Sequence, residues 1–566
     1  MLTQLKIRLP RSFSLQHWRG DLFGGLTAAI VALPLALAFG VSSGAGAIAG
    51  LYGAVCTGFF AALFGGTPSQ ISGPTGPMTV VMATIFTAVA SSDDPKTGVA
   101  IAFTIIMLGG LFQIALGALR LGKYITLIPY TVISGFMSGI GIIIVLIQIA
   151  PFLGFPSDAS VIHSLQMIPY EITHPKLLPT ALGVLTLIIV FASPAKVNRV
   201  IPSPLLALVV CTLISVQFPT ESLARIGEIP RGLPEFYFPV LDFSQLKNML
   251  GYGVILGTLG AIDSLLTSLV ADNITRTQHD SDKELIGQGI GNIISGLCGG
   301  LPGAGATMRT VINVRSGGVT SLSGMIHAVV LLVVIFWAAP LTSPIPHAVL
   351  AGILIKVGID IIDWSFLKRA HKISMKAAGL MYCVMGLTVF VDLITAVAVG
   401  VFVANLLTVK NLTDLQIEHL EEITSADDSP QLSTREKDLL RQARGRIFMF
   451  RLSGPMSFGA AKGISRRMGI VEKYDVLILD LLEVPLIGVT ASLALETMIR
   501  DAHAKGREIF LVGASGKVKN RLQRLEILKF LPPRNRVTNR LDALEQAIAF
   551  IENHQPVQPE PQSARK

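Results

Sequence analysis

Apolar segments about as long as a membrane-spanning helix recur along most of the chain. A helix needs about 20 mainly apolar residues to cross the hydrocarbon core of a bilayer. Twelve segments approach this length, near residues 22–41, 47–66, 99–119, 125–149, 178–193, 201–218, 249–271, 286–299, 321–339, 346–362, 375–391 and 393–409. Two more, at about 75–90 and 306–316, are too short and too rich in Gly and Pro to cross alone. The pattern predicts a polytopic α-helical membrane protein with 14 transmembrane elements.

The charged residues divide the chain into two parts. Residues 1–435 carry 24 Lys and Arg against 23 Asp and Glu, whereas residues 436–566 carry 22 against 14. The second part has the charge density of an ordinary soluble domain. We expect a cytoplasmic N-terminus at 1–20, a transmembrane domain at 21–410, an acidic linker at 411–435, an α/β domain at 436–552 and a disordered tail at 553–566. This organisation excludes a small soluble enzyme and a secreted disulfide-rich scaffold.

The Lys and Arg residues of the predicted loops indicate the orientation of the membrane part. With the N-terminus inside, the inside loops hold 15 of these residues and the outside loops hold five. Positive residues collect on the cytoplasmic side of membrane proteins. Because the number of elements is even, we expect a multi-pass protein of the plasma (inner) membrane with both termini in the cytoplasm.

The two interrupted segments occupy matching positions in two halves of the membrane part. Each is the third of seven elements, in repeats at about 21–218 and 249–410. Seven is an odd number, so the two halves have opposite orientations. Inverted repeats with a paired break indicate a transporter whose site lies at the membrane midplane. The alternative is a pair of Gly/Pro kinks in ordinary packed helices.

The first break contains Ser72-Gly73-Pro74-Thr75-Gly76-Pro77-Met78-Thr79. Proline is tolerated in the first turn of a helix because that N–H has no partner there. We therefore predict an extended piece that runs into a helix N-terminus inside the membrane. Such an end offers free N–H groups and a partial positive charge to an anion, and Thr75 and Thr79 add hydroxyl groups.

The second break, Gly299 to Thr310, contains four glycines and leads into a helix that begins near Ala306. Two helix N-termini directed at one point would form an electropositive pocket that suits a small anion. Arg309 lies one turn inside this helix. It either belongs to the anion site or pairs locally with an acidic residue.

Asp263 lies in the middle of a predicted span, where a carboxylate costs about 2.5–3.5 kcal/mol on the insertion scale. Thr267 lies four residues later, on the same helix face. A carboxylate, a hydroxyl and the carbonyls of a broken helix would form a cation site. A salt bridge to Arg309 and a proton carrier are the alternatives.

Three other charged residues, Lys356, Asp360 and Asp392, are interpreted as interfacial residues at segment edges. The chain shows no nucleophile–base pair, phosphate-binding loop or metal-ligand spacing. We therefore expect neither an enzyme nor a resident cofactor, and no nucleic-acid partner.

These motifs together resemble the SulP family of inorganic anion transporters. The resemblance rests on Ala271-Asp272, Lys283-Glu284-Leu285-Ile286-Gly287-Gln288-Gly289 and Arg309-Thr310-Val311-Ile312-Asn313. The first break and Gly24-Gly25-Leu26-Thr27-Ala28-Ala29 are most similar to the sodium-dependent bicarbonate transporters of cyanobacteria within that family. The likeness runs from about residue 19 to 550 and includes the STAS domain that follows the membrane part.

The resemblance implies a core and a gate domain, built from the inverted repeats, that slide past each other like an elevator. It implies sodium at Asp263, Thr267, Gly305 and Thr307. It places the anion beside the sodium, near Thr75 and Ala306. We add Thr267 and Arg309 as further candidate anion-binding residues. Sodium would neutralise Asp263 and so allow an anion to bind next to it, a reciprocal coupling.

Arg309 matches the wider family and departs from the bicarbonate subgroup. The sequence therefore predicts sodium-dependent bicarbonate uptake and leaves open a sulfate or other inorganic anion transporter that works by proton symport or anion exchange. A membrane-anchored signalling protein would not need the paired breaks.

In the C-terminal domain we predict strands at Arg446–Leu452, Asp475–Asp480 and Glu508–Val512, and helices at Val489–Ala504 and near Leu541–Glu552. Small STAS proteins are phosphorylated at a Ser or Thr in the turn where Thr490 lies. Gly488 replaces the usual Asp there, which favours a scaffold without phosphorylation over a phosphorylated Thr490. The resemblance implies a homodimer formed through this domain. The net charge of +8 over residues 436–566 suits anionic lipid headgroups.

Overall fold

The structure is a computed structural model. It describes residues 17–90, 95–125, 128–157, 160–194, 197, 201–219, 223–227, 234–391, 393–428, 431–467 and 473–554. The predicted tail from 555 onward, most of the predicted N-terminal segment and Asp392 lie outside these residues. The chain forms two compact units, one up to Phe402 and one from Val403.

The first unit is helical, with two very short strands. Its elements in chain order are α1 (Trp18–Ser42), α2 (Ala47–Phe64), β1 (Ser72–Pro74), α3 (Gly76–Ala90), α4 (Pro95–Ala118), α5 (Gly122–Ile125), α6 (Tyr130–Phe152), α7 (Val161–Thr173), α8 (Leu177–Ala192), α9 (Ser203–Ser215), α10 (Leu246–Thr275), α11 (Ser281–Leu297), β2 (Gly303–Gly305), α12 (Thr307–Arg315), α13 (Ser321–Thr342), α14 (His347–Ile361), α15 (Trp364–Ile373), α16 (Met375–Phe390) and the first part of α17 (Leu393–Glu418), which continues into the second unit.

Each apolar segment predicted from the sequence coincides with one of these helices. Within the described residues, six helices are long and apolar enough to cross a membrane by themselves, and the bent pair α7 and α8 allows a seventh span. The two interrupted segments are α3 and α12, each preceded by a three-residue strand. Helices α5, α7 and α15 were not predicted, because they are too short or too amphipathic to register as apolar runs.

Local sequence explains where several helices begin. Pro129, Pro202 and Pro346 are the N-cap residues of α6, α9 and α14. A proline has no N–H to leave unpaired at such a position. The side chains of Asp280 and Asp363 instead accept hydrogen bonds from backbone N–H groups in the first turns of α11 and α15.

Most helices of the first unit pack as two groups. The core group consists of α1–α4 and α10–α13, in which α11 lies along α4 and α2, and α13 lies along α1 and α2. The gate group consists of α6, α8, α9, α14 and α16, in which α14 lies along α6 and α8. Glycines allow the closest approaches, since a Cβ on Gly50 of α2 would lie 1.9 Å from the carbonyl oxygen of Ala36 on α1.

Strands β1 and β2 pair with each other inside the core group. The pairing is antiparallel, with Ser72 opposite Gly305, Gly73 opposite Ala304 and Pro74 opposite Gly303. We call the place where β1 and β2 pair the strand crossing. Because the strands run in opposite directions, α3 and α12 leave this crossing in opposite directions. The backbone polar groups at the break are therefore paired within the protein, as a membrane environment requires.

The second unit has an α/β fold with a five-stranded sheet. Its strands are β3 (Leu420–Ile423), β4 (Ile447–Ser453), β5 (Val476–Glu483), β6 (Glu508–Val512) and β7 (Arg536–Val537), and its helices are α18 (Thr434–Ala443), α19 (Phe458–Arg467), α20 (Val489–Ala504), α21 (Gly516–Arg524) and α22 (Arg540–Asn553). The strand order is β3-β4-β5-β6-β7, and only the β3–β4 pair is antiparallel.

The segment at 411–435 does more than connect the two parts. It continues α17 to Glu418 and then supplies the edge strand β3, which pairs with β4. Its acidic residues concealed this strand, because Glu421 and Glu422 interrupt an apolar pattern. The sheet therefore begins at Leu420, earlier than the predicted boundary at 436.

Buried charges connect the sheet to α22. Asp480 of β5 is 1% exposed and accepts hydrogen bonds from Arg540 Nε at 2.6 Å and from the Leu482 N–H at 3.0 Å. Burial raises the pKa of Asp480, while its hydrogen bond from Leu482 and the nearby guanidinium of Arg540 oppose that rise. A buried carboxylate remains tolerable here because it is paired.

Replacing Arg540 by Met should destabilise the second unit by about 3 kcal/mol near neutral pH, because a buried carboxylate loses its partner. The folded-state pKa of Asp480 is raised, so the folded chain takes up a proton more readily than the unfolded chain. The loss of stability should therefore shrink as the pH is lowered into the acidic range where Asp480 takes up a proton. Calorimetric unfolding of the full-length protein in detergent measures both effects.

The matched control is Arg435→Met, which removes an ion pair to Glu545 between side chains that are 72% and 43% exposed. Exposed pairs contribute little, so this variant should unfold like the wild type. Equal destabilisation by both substitutions would contradict the argument from burial.

Candidate functional site

The two short helices begin next to each other at the strand crossing. The Ala306 N–H donates to the carbonyl of Ile71 at 2.8 Å, and the Ile71 N–H donates to Thr310 Oγ1 at 3.0 Å. The N-cap residue of α12, Ala306, provides no side-chain hydrogen bond to the first turn. The first N–H groups of α12 are therefore left without a side-chain cap at the end of the helix that carries positive dipole charge.

Glu284 of α11 fixes the chain just before β1. Its carboxylate is 1% exposed and accepts the backbone N–H groups of Gly66 and Thr67, both at 2.9 Å. It also accepts the side-chain amides of Gln70 and Gln288, both at 2.8 Å. Four donors satisfy this buried carboxylate, which makes Glu284 a framework residue.

Asn292, two turns after Glu284 along α11, holds the other strand. Its Nδ2 donates to the carbonyl of Gly303 at 2.9 Å, and the Gly303 N–H donates to its Oδ1 at 2.7 Å. Gln288 donates to Ser72 Oγ at 2.6 Å. One face of α11 thus positions both strands, a role that the sequence did not assign. The signal was the i, i+4, i+8 spacing of these polar residues.

Asp263 and Thr267 of α10 face the strand crossing from the side on which a cavity, described below, reaches it. Thr75 donates its hydroxyl to Asp263 Oδ2 at 3.1 Å. Thr267 donates to the carbonyl of Gly305 at 2.9 Å, and its oxygen lies 2.8 Å from Thr307 Oγ1. Because the Thr267 proton goes to Gly305, Thr307 is the donor in the second contact. The residues predicted for a cation site are therefore neighbours.

Arg309 is 3% exposed and donates from Nη2 to the carbonyl of Pro74 at 2.7 Å. It forms no ion pair with Asp263, although both residues are described. The guanidinium of α12 instead binds the last carbonyl of β1. Arg309 therefore connects the two breaks and adds a fixed positive charge close to both helix N-termini.

An open cavity of about 1140 Å³ reaches the crossing from one side. Its lining includes all the residues predicted for anion and cation binding, namely Thr75, Asp263, Thr267, Gly305, Ala306, Thr307 and Arg309. The cavity is far larger than a small anion, so it also holds an access route. It lies between the core group and the gate group, which contributes Met137, Val190 and Ser203.

Lys356 and Asp360 differ from their predicted role. Both lie on α14 and line the cavity, and they form an ion pair with each other. Their position near the end of an apolar segment suggested interfacial side chains. Sequence alone could not show that this helix face is turned toward the cavity.

Thr490 lies in the second unit, away from these residues in the chain. It is exposed and is the second residue of α20, whose N-cap is Gly488. Its hydroxyl is therefore accessible at a helix N-terminus.

Comparison with protein families identifies both parts of the chain. A model described as the sulfate permease family matches residues 18–386, and the STAS domain model matches residues 439–540. The chain is 54% identical over 553 residues to the "Bicarbonate transporter BicA" of Picosynechococcus sp., covering 97% of this chain and 98% of the relative. It is 31% identical to the "Putative sulfate transporter YvdB" of Bacillus subtilis, covering 91% of this chain and 95% of the relative.

Two solved structures are similar as well. The transmembrane domain of a cyanobacterial bicarbonate transporter BicA matches with a TM-score of 0.64 and 57% identity, covering 68% of this chain and 98% of that one. Murine Solute Carrier 26 family member A9, an anion transporter in the inward-facing state, matches with a TM-score of 0.81 at 19% identity, covering 96% of this chain and 93% of that one. The second likeness concerns the fold.

Gly303→Ala should disrupt the crossing, because the new Cβ would lie 2.7 Å from the backbone carbon of Gly73 and 2.6 Å from Thr57 Oγ1. Overpacking of this kind costs about 1–3 kcal/mol. We expect a lower melting temperature in detergent and loss of anion transport. The control Gly386→Ala places its Cβ in open space on α16 and should melt at or above the wild-type temperature. A Gly303→Ala variant that melts and transports like the wild type would rule out this role of the crossing.

Proposed function

Because the chain belongs to the sulfate permease family, we propose that it is a secondary active transporter that takes up bicarbonate together with sodium. The main support is the contact of Asp263 and Thr75 on the cavity side of the strand crossing, where the proposed cation site and anion site would adjoin. The high identity to bicarbonate transporters over nearly the full length supports this substrate over sulfate.

The anion would bind between the N-termini of α3 and α12. Thr75 and Ala306 border this space, and both line the cavity. The uncapped first turn of α12 offers backbone N–H donors, and a planar monovalent anion can accept several of them at once. Arg309 raises the local potential while its guanidinium remains bound to Pro74. The arrangement suits a small anion of low charge.

Sodium would bind among oxygen atoms. The carboxylate of Asp263, the hydroxyls of Thr267 and Thr307 and the carbonyl of Gly305 provide four candidate ligands. Oxygen ligands next to a discontinuous helix are typical of sodium sites in transporters. We treat sodium as a transported ion, with no resident cofactor.

The two sites would be coupled through charge. Without a cation, the carboxylate of Asp263 repels an anion that approaches Thr75, because the two side chains are in contact. Sodium removes this repulsion, so each ion increases the affinity for the other by the same factor. This coupling would let a sodium gradient drive anion uptake.

The division into two helix groups supports an elevator-type movement. All seven proposed ligands belong to the core group or to the strands within it, while α14 of the gate group forms the opposite wall. The core group can therefore carry both ions past the gate group without separating them. Hydrogen bonds from α11 to both strands would keep the site intact during the movement.

We further propose that the chain is a homodimer of the inner membrane, with the STAS domain as a cytoplasmic scaffold. Leu486, Val489 and Leu493 are each nearly half exposed, and the last two lie one turn apart on α20. Such an apolar patch on a soluble domain suits a second copy of the same surface. Thr490 lies within this patch and would need no phosphate for a scaffold role.

The primary experiment measures uptake of labelled bicarbonate into proteoliposomes, with an inward sodium gradient or with potassium in its place. We expect uptake that requires sodium, because sodium must neutralise Asp263 first. Labelled sulfate is measured in parallel. Sulfate uptake without any response to sodium, together with no bicarbonate uptake, would overturn the proposal and favour proton symport or exchange.

The same uptake assay tests the proposed sodium ligands. Asp263→Asn and Thr267→Val should each raise the half-saturating sodium concentration about tenfold or more, because each removes a charged or polar ligand. The control Thr388→Val removes a buried hydroxyl that bonds only to its own helix, at the Val384 carbonyl 2.8 Å away, and should behave like the wild type. Unchanged sodium dependence in Asp263→Asn would place the cation site elsewhere.

Mass photometry of the full-length protein in detergent tests the dimer. The wild type should have twice the chain mass of 60.3 kDa. Replacing both Val489 and Leu493 by Asp should shift it to the monomer, because charges cannot be buried in the patch. The control Gln546→Asp on α22 alters an exposed residue of a helix that packs on the other face of the sheet. A dimer that survives the double substitution would exclude this surface.

A further inference from the structure

The wall of the cavity that faces the proposed site carries an ion pair of its own. Lys356 and Asp360 lie one turn apart on α14 and line the cavity, with side chains 23% and 42% exposed. The Lys356 ammonium also lies 5.2 Å from the centroid of the Phe191 ring. A positive group in contact with the cavity can reach an anion that travels through it.

The pair lies near the C-terminal end of α14, and the cavity that it lines also reaches the proposed site. Asp360 is the penultimate residue of α14, and the cavity lining also includes Arg315 and Ser316, at the end of α12. Lys356 is one helical turn deeper, closer to the level of the site. The loops that follow α12 and α14 are among those predicted to be cytoplasmic. An anion released on that side would therefore pass Lys356 and then Asp360.

The pair contributes little to the stability of α14. Partly exposed ion pairs of this spacing are weak, and a basic residue that precedes the acidic one is the less favourable order. Asp360 also adds negative charge at the helix C-terminus, where the helix dipole is already negative. The ammonium is therefore free to exchange its carboxylate partner for another anion.

We propose that Lys356 is a second anion-binding residue, which takes the anion from the core group on its way to the side that carries the C-terminal domain. Asp360 is a positioning residue that holds the ammonium when no anion is present and competes with the anion for it. No covalent bond changes. The inference rests on the proposed function, because it assumes that the cavity is the route of a transported anion.

The proposed contact between Lys356 and the anion depends on the side of the membrane to which the core group opens. Lys356 belongs to the gate group, whereas the proposed ligands belong to the core group. An elevator movement would carry the anion site away from Lys356 when the protein opens to the other side. The contact should therefore affect the affinity for anion on one face of the membrane only.

The test compares vesicles of two orientations, identified by whether added protease can reach the C-terminal domain. The half-saturating bicarbonate concentration is measured for entry from each face, for the wild type and for Lys356→Gln, Asp360→Asn and Lys356→Arg. From the face that carries the C-terminal domain, Lys356→Gln should raise this concentration about tenfold, as loss of a charge-assisted hydrogen bond does. Asp360→Asn should lower it about twofold to fivefold, because the competitor is gone. Lys356→Arg should leave this concentration near the wild-type value.

For entry from the opposite face, the half-saturating bicarbonate concentration of all three variants should lie within about twofold of the wild-type value. A purely structural pair predicts a different pattern, because either substitution breaks it. Lys356→Gln and Asp360→Asn would then shift the concentration in the same direction, or shift it on both faces, and either result overturns the proposal. Should the wild type carry no bicarbonate, the proposed function fails separately. The same series, measured with the anion that the wild type does carry, then decides the role of Lys356.

Discussion

Strands β1 and β2 hydrogen-bond to each other at the break in both repeats, and the rest of the first unit is arranged around that pairing. A backbone that leaves the helical conformation inside a membrane has no water to bond to. The two breaks satisfy this requirement mutually, which neither could do alone. The pairing then forces α3 and α12 to leave in opposite directions, so that their N-termini remain close to the same point.

The pairing also explains why α11 is polar along one face. Glu284, Gln288 and Asn292 hold the flanks of both strands, and each is buried. Their hydrogen bonds to backbone and side-chain groups replace those that a regular helix would have made. Because these groups satisfy one another, Asp263 and Thr267 remain available on the open side. A framework on one side of the crossing and the proposed ligands on the other follow from the same break in the helices.

Much of this arrangement could be predicted from the sequence, since apolar length and the paired Gly/Pro breaks are local signals. These signals predicted the helices and singled out Thr75, and the family resemblance added Thr307; the structure places both residues in one cavity with Asp263. Features that depend on which helix face is turned inward could not be predicted in this way. The roles of Lys356 and Asp360 depend on the packing of α14 against α6 and α8. The edge strand β3 depends on pairing with β4, which overrides its acidic composition.

The charged residues that line the cavity allow the net charge of the site to be compared before and after two ions bind. The described residues that line it carry two carboxylates, Asp263 and Asp360, and three positive groups, Arg309, Arg315 and Lys356. One sodium ion and one monovalent anion together add no net charge to this set. The loaded and empty core groups would then present the same charge to the membrane potential, so the ion gradients alone would determine the direction of net transport. A sulfate ion with one sodium would instead add one negative charge. The loaded and empty core groups would then differ in charge, so the membrane potential would also act on the direction of transport.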